Sequence, residues 1–191
     1  INSEALNNDV PKSLRDPGDQ WYALTRRVRV LVANPKVVDI NQMHCLATNI
    51  YHEARGESFA GKVAVANVTH NRVNSIKYPD TYCGVVYQAQ MYVNWRGNEV
   101  PARHKCQFSW YCDGQKDVIW ANYKSGQEIK GNARAWRESV EIAIYVLGVG
   151  KMSITDNTSG AVYYYAHNLV YPYWADSKKF IGVLGNHTFM K

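Results

Sequence analysis

The stretch His52-Glu53-Ala54-Arg55-Gly56-Glu57 sets two carboxylates four residues apart around a glycine. Glu53 falls at the edge of an apolar helical stripe, beside Leu46 and Ile50 and within one turn of Gly56. A carboxyl at a helix C-terminus meets the negative end of the backbone dipole, and a partly apolar wall disfavours its ionised form further. Both effects raise its pKa, which is what a general acid working near neutral pH requires. The competing reading is a solvated glutamate paired with Arg55 or Arg72, the ordinary state of a helix-edge carboxylate. Glu57 is open in the same way. It is either a second carboxylate for glycoside chemistry, which usually employs two, or an anion that charges the start of the next helix.

Other chemistries find less support. His52-Glu53 resembles the opening of a zincin HExxH, but Gly56 stands where the second histidine belongs. His104, Cys106 and Cys112 are three ligand types in nine residues without the tight spacing of a zinc site, so no metal and no cofactor is expected. There is no G-x-S-x-G elbow and no glycine-rich phosphate loop. Arg96, Arg103, His104 and Lys105 around Trp95 and Trp110 suit single-stranded nucleic acid in composition. Their charges are loosely spread and no RNA-binding signature accompanies them, so a solvated loop face is the better expectation and no nucleic-acid partner is predicted. In the run Tyr163-Tyr164-Tyr165, strand alternation turns Tyr164 away from its two neighbours; one face packs the core and the other is free to line a groove.

The elements that must position these residues are mostly helical. From Asn41, the residues Met43, Leu46, Ala47, Ile50, Tyr51 and Ala54 mark one helical face, with Gly56 as the breaker. A second helix is expected over Phe59–Val73, with Ser58 as its N-cap. A third runs from Ala133 to Leu147, capped by Asn132 and closed by Gly148 and Gly150. Residues 75 to 131 are mixed and predict short helices and long loops. Asp156 to Gly160 is a turn cluster, and Val162 to His167 reads as a strand. Upstream, residues 1 to 20 form a polar arm with Pro11, Pro17 and Gly18, followed by a short helix over Trp21–Ala33 ending at Pro35. The fold class is α+β, mainly helical with a small late β element.

At 191 residues the chain suits one domain plus a short appendage and can bury roughly 70% of its unfolded surface. It carries a net charge of +6, which favours a polyanionic partner such as nucleic acid, an anionic membrane surface or a bacterial wall polymer. Fourteen Tyr and six Trp pair apolar faces with polar edges, as a core rim or a carbohydrate groove requires. No window is apolar enough to span a membrane and no signal peptide is visible, although a start at Ile1 hints at upstream processing. The four cysteines do not make a disulfide framework; free thiols, or one adventitious bond between Cys106 and Cys112, are expected.

The stretch Asn49-Ile-Tyr-His-Glu-Ala-Arg-Gly-Glu-Ser-Phe-Ala-Gly-Lys-Val-Ala-Val-Ala-Asn-Val-Thr-His-Asn-Arg-Val73 resembles the catalytic domain of the spore cortex-lytic SleB/CwlJ cell-wall hydrolases. Its hallmarks are E-A-R-G-E, a Gly-x-x-A-V-A run and N-R-V. Gln107-Phe-Ser-Trp110 with Asp113-Gly114, then Gly160 to Tyr165, then Ile181 to Phe189 with Asn186-His187, follow in the family's order. The resemblance covers residues 41–191 and leaves 1–40 as a separate arm and short helix. It implies a lysozyme-like fold of the lytic transglycosylase kind, acting on peptidoglycan between N-acetylmuramic acid and N-acetylglucosamine. It also implies that Glu53 is the acid/base, with Glu57 an undecided assistant, and that Gln107, Ser109, Trp110, Tyr163, Tyr164 and Tyr165 line the glycan groove. Action at the bacterial wall as a monomer, without stable membrane insertion, fits this picture, and a small basic lytic domain suits a bacteriophage lysin. A water-using muramidase, an amidase on the muramic acid–peptide bond and a non-catalytic wall-binding module remain the alternatives.

Overall fold

The computed structural model describes residues 39–119, 130–147 and 155–191. The expected N-terminal arm, the helix over Trp21–Ala33 and the glycine stops Gly148 and Gly150 lie outside the described residues.

Helix α1 spans Ile40–Ala54. It begins where the side chain of Asp39 accepts hydrogen bonds from the backbone of Asn41 (2.9 Å) and Gln42 (3.2 Å), which satisfies two otherwise orphaned donors. Helix α2, Phe59–Val73, starts as the sequence predicts, with Ser58 Oγ accepting from Gly61 N at 3.3 Å. Helix α3 is the five-residue turn Tyr82–Val86, and helix α4 runs over Lys130–Val146. Asn132 therefore lies inside α4 rather than capping it, because the helix includes Lys130, ahead of Ala133 where the apolar pattern starts.

The stripe forecast for α1 is the core. Leu46, Ile50 and Tyr51 from α1 meet Val63 and Ala66 from α2 and Trp136, Val140 and Ala143 from α4. Each fully buried Leu or Ile contributes about 1.5–3 kcal/mol of transfer free energy. Lys62 of α2, itself buried, forms an ion pair with Glu138 of α4 and so satisfies its ammonium group across that seam.

Between α3 and α4 the structure departs from expectation. In place of long loops, Ala89–Val93 (β1) and Glu99–Cys106 (β2) form an antiparallel hairpin, followed by a 3-10 turn over Ser109–Cys112. Both strands are largely exposed, so the one-sided alternation that betrays a strand is absent. The late β element is a three-stranded antiparallel sheet in the order β3 (Tyr163–Ala166), β5 (His187–Met190), β4 (Phe180–Leu184). It lays Phe189, with Tyr164 beside it, against Ala64 and Val68 of α2.

The cysteines correct the expectation of free thiols. Cys45 of α1 is bonded to Cys83 of α3, and Cys106 at the end of β2 to Cys112. The first bridge joins residues 38 apart in sequence, a proximity created only when α3 packs on α1.

Candidate active site

Glu53 occupies the last turn of α1 and is half-buried. Its Oε2 accepts a hydrogen bond from the hydroxyl of Tyr164 at 2.8 Å, across 111 residues of sequence. Behind the pair lies Arg72, 4% exposed, from the last turn of α2. Its Nε donates to the carbonyl of Val162 at 2.8 Å, which anchors the start of β3 to the helix. Its guanidinium lies 5.0 Å from the ring centre of Phe108, 5.5 Å from Tyr78 and 6.0 Å from Tyr164. Nη1 has no hydrogen-bond partner among the described residues.

This environment acts on Glu53 in two directions. Burial lifts its carboxyl above the ordinary glutamate range, while the Tyr164 hydrogen bond and the Arg72 charge pull it back down. Burial also pushes the Tyr164 phenol well above its usual value, and the Glu53 charge adds to that, so Tyr164 remains a donor. The solvated ion pair foreseen as the competing reading does not form. Arg55 lies over the ring of Tyr51 at 5.4 Å, and Arg72 is a buried residue that acts on Glu53 through its charge.

Glu57 stands differently. Its carboxylate accepts from Asn186 N at 3.2 Å and from Asn186 Nδ2 at 2.8 Å, and His187 Nδ1 lies 4.0 Å away. Asn186 and Gly185 form the two-residue turn between β4 and β5. Gly185 has φ +58, and a Cβ there would come within 2.0 Å of Glu57 Oε2. Glu57 thus ties the α1–α2 junction to the late sheet, with its oxygens already engaged.

The remaining candidates separate. Trp110 is 8% exposed and part of the packing: its Nε1 donates to Asn49 Oδ1 at 3.1 Å, and its ring stacks on His52 at 4.6 Å. Asn49 in turn donates to Thr69 Oγ1 at 3.1 Å, so Asn49 joins α1 to α2 and Trp110 fastens the 3-10 turn to α1 one turn before Glu53. Burial, aided by the Arg55 charge and opposed by Asp113, lowers the pKa of His52 to about 4. Ser109 is exposed, and Gln107 is half-buried with its backbone N–H donating to Gln88 O at 2.8 Å. Tyr163 and Tyr165 turn away from Tyr164, as alternation requires, and pack on Trp174 with ring centres 5.5 and 5.8 Å apart. Cys106 and Cys112 bind each other, which withdraws both sulfurs from metal ligation.

Arg72 is the residue missed as part of the site. The signal was present: Val65, Val68 and Arg72 are spaced i, i+3, i+7, which puts the arginine on an apolar helical stripe. Asn186 and His187 were singled out only as a motif, with no hint that they would meet Glu57.

A family model described as Cell Wall Hydrolase matches residues 56–190, a span that begins three residues after Glu53. A spore cortex-lytic enzyme of Oceanobacillus iheyensis is 30% identical over 157 residues, covering 82% of this chain and 44% of that protein. One from Bacillus subtilis is 39% identical over 67 residues, covering 35% of this chain and 22% of the relative. The chain therefore spans less than half the length of these relatives. Among solved structures, the catalytic domain of the germination-specific lytic transglycosylase SleB from Bacillus anthracis superposes with a TM-score of 0.53 at 26% identity, over 83% of this chain and 100% of that one. The catalytic domain of Bacillus cereus SleB gives a TM-score of 0.50 at 24% identity, over 82% and 94% of the two chains.

Proposed function

The chain belongs to the cell wall hydrolase family, and from that premise we propose that it is a peptidoglycan-degrading glycosidase working as a lytic transglycosylase, with Glu53 as its acid and base and residues 41–191 as the catalytic unit. The observation that carries the reading is the Glu53–Tyr164 hydrogen bond, set against Arg72 in a pocket that raises the carboxyl pKa. Protonated Glu53 donates to the glycosidic oxygen as the bond to C1 of N-acetylmuramic acid breaks and positive charge develops there. The resulting carboxylate, held by Tyr164 and the Arg72 charge, next accepts the proton of the C6 hydroxyl. That oxygen closes on C1 and leaves a 1,6-anhydro sugar, without water and with the carboxyl restored to its starting state.

A single carboxyl group serves both steps. The engagement of Glu57 by Asn186 supports a positioning part for it. Action outside the cytoplasm, at the bacterial wall, accords with two disulfides, which persist in oxidising surroundings. A bacteriophage lysin, acting as a monomer, is one setting that meets these requirements.

The test is mass spectrometry of fragments released from purified peptidoglycan, with Glu53→Gln alongside. We expect muropeptides lighter by one water, ending in anhydro-muramic acid, and a loss of about 10²–10⁴-fold in the variant. Reducing muramic acid ends would indicate a water-using muramidase, and free stem peptides with intact glycan an amidase. Full activity in Glu53→Gln would remove that residue from the mechanism.

A further inference from the structure

The hairpin β1–β2 is built as a rigid projection, and the packing of the domain does not account for what it displays. Its turn is preorganised: Asn94 Oδ1 accepts from Arg96 N at 2.9 Å and from Asn98 N at 3.0 Å, with Gly97 at φ +79. Its base is fixed by the Cys106–Cys112 bridge and by the backbone bond from Gln107 N to Gln88 O. An isolated two-stranded hairpin is marginal in water, so these restraints hold a shape that its own packing does not. At the tip, Trp95 is 87% exposed with the Arg96 guanidinium 4.5 Å above its ring. Along the strands Arg103, His104 and Lys105 are all exposed, with Glu99 the acid among residues 89–106.

The base of the hairpin packs on the 3-10 turn whose Trp110 stacks on His52, the residue before Glu53. Arg103 packs at Gly114, where a Cβ would lie 3.9 Å from its guanidinium. Asp113, next in the chain, acts electrostatically on His52, the neighbour of Glu53 in α1.

We propose that this hairpin is a docking arm for the carboxylates of peptidoglycan stem peptides, with Arg96, Arg103 and Lys105 binding the peptides while Glu53 works on the glycan. The proposal rests on the peptidoglycan reading above. Charge complementarity selects the occupant, because guanidinium groups match carboxylates in a two-pronged geometry. A lipid bilayer is the poorer fit, since Glu99 pairs directly opposite Val93 on the strand face that carries Met91 and Val93, and the tip mixes Trp95 with Asn94, Arg96 and Asn98. No wholly apolar face is available for insertion.

The test is co-sedimentation with insoluble peptidoglycan freed of phosphodiester-linked polymers, with and without its stem peptides. Wild-type hairpin and an Arg96→Gln/Arg103→Gln/Lys105→Gln variant are compared, both in the Glu53→Gln background so that binding is read without turnover. We expect the triple variant to bind the peptide-bearing material about tenfold more weakly, the effect of three exposed ion pairs together. Both proteins should bind the stripped glycan equally. An equal loss on stripped glycan, or no loss on either material, overturns the proposal. So does a difference that appears only when phosphodiester polymers are left on the wall, or a stronger dependence on anionic vesicles than on peptides. Failure of the Glu53 assignment shows separately, as undiminished fragment release by Glu53→Gln alone.

Discussion

The Tyr164 hydroxyl is the adjustable contact on Glu53, because it donates to the carboxylate and so favours the ionised form that burial disfavours. Removing it has a predictable sign. In Tyr164→Phe the burial effect is opposed by Arg72 alone among the causes acting on Glu53, and the carboxyl pKa rises. A general acid works in its protonated form, so the alkaline limb of the kcat/KM profile should move to higher pH in this variant, with a lower kcat because the carboxylate formed in the first step is less well held. A limb that stays in place, or moves to lower pH, would show that Glu53 is not the group whose ionisation the profile reports. Arg72 belongs to the same argument. Its lodging among Phe108, Tyr78 and Tyr164 places a cation behind the acid without presenting it to solvent.

At the scale of elements, the junction of α1, α2 and the β4–β5 turn is where the positioning role proposed for Glu57 is told from a catalytic one. Glu57→Gln keeps an acceptor for Asn186 but gives up the negative charge, and Gly185→Ala forces a left-handed residue to carry a Cβ into Glu57. Glu57→Gln should lower the melting temperature modestly while leaving anhydro-product formation within a few-fold of wild type. Gly185→Ala should cost about 1–3 kcal/mol in stability, read from denaturant unfolding. A Glu57→Gln enzyme that folds normally and loses activity by orders of magnitude would return Glu57 to the chemistry. This is also the scale at which the sequence was most and least legible. The stripe Leu46–Ile50–Ala54 discloses α1 through its helical period, the Ser58 cap marks the start of α2, and the run of tyrosines after the turn cluster discloses β3. The β1–β2 hairpin was hidden because neither strand buries a face, and Pro101 within β2 argued against a strand. The Cys45–Cys83 bridge was hidden because it depends on how two helices pack, which residue spacing does not encode. Glu53 was legible as a candidate from its place on the stripe, whereas the burial of Trp110 against Asn49 and His52 depends on how the 3-10 turn packs on α1, which residue type does not encode.

For the whole molecule, the same burial that tunes the site sets a limit on its acid stability. Burial lowers the pKa of His44 and His52 to about 4, and that of His70 and His187 also falls below its ordinary value through burial. In the unfolded chain these imidazoles take up protons near pH 6.5, whereas the folded protein keeps them neutral until lower pH. Between those limits the unfolded state binds more protons, so stability rises with pH across that window. Their contribution is complete above about pH 6.5 and is lost as the pH falls toward 4. Glu53 has the opposite sign. Its raised pKa makes the folded state the better proton binder, so it favours folding on the acid side and withdraws that support as pH rises through the folded value. Asp117, raised to about 6 by burial and the Asp113 charge, acts in the same sense as Glu53. Four imidazoles against two carboxyls decide the direction: the melting temperature should fall progressively from pH 6.5 to pH 4. In Glu53→Gln the fall should be steeper, because one of the two opposing carboxyls has been removed. Thermal unfolding across that range reads both slopes. A melting temperature that is flat or rises toward pH 4 would mean that the histidines are not held neutral by the fold, and the rigid packing of His52 on Trp110 behind Glu53 would lose its electrostatic consequence.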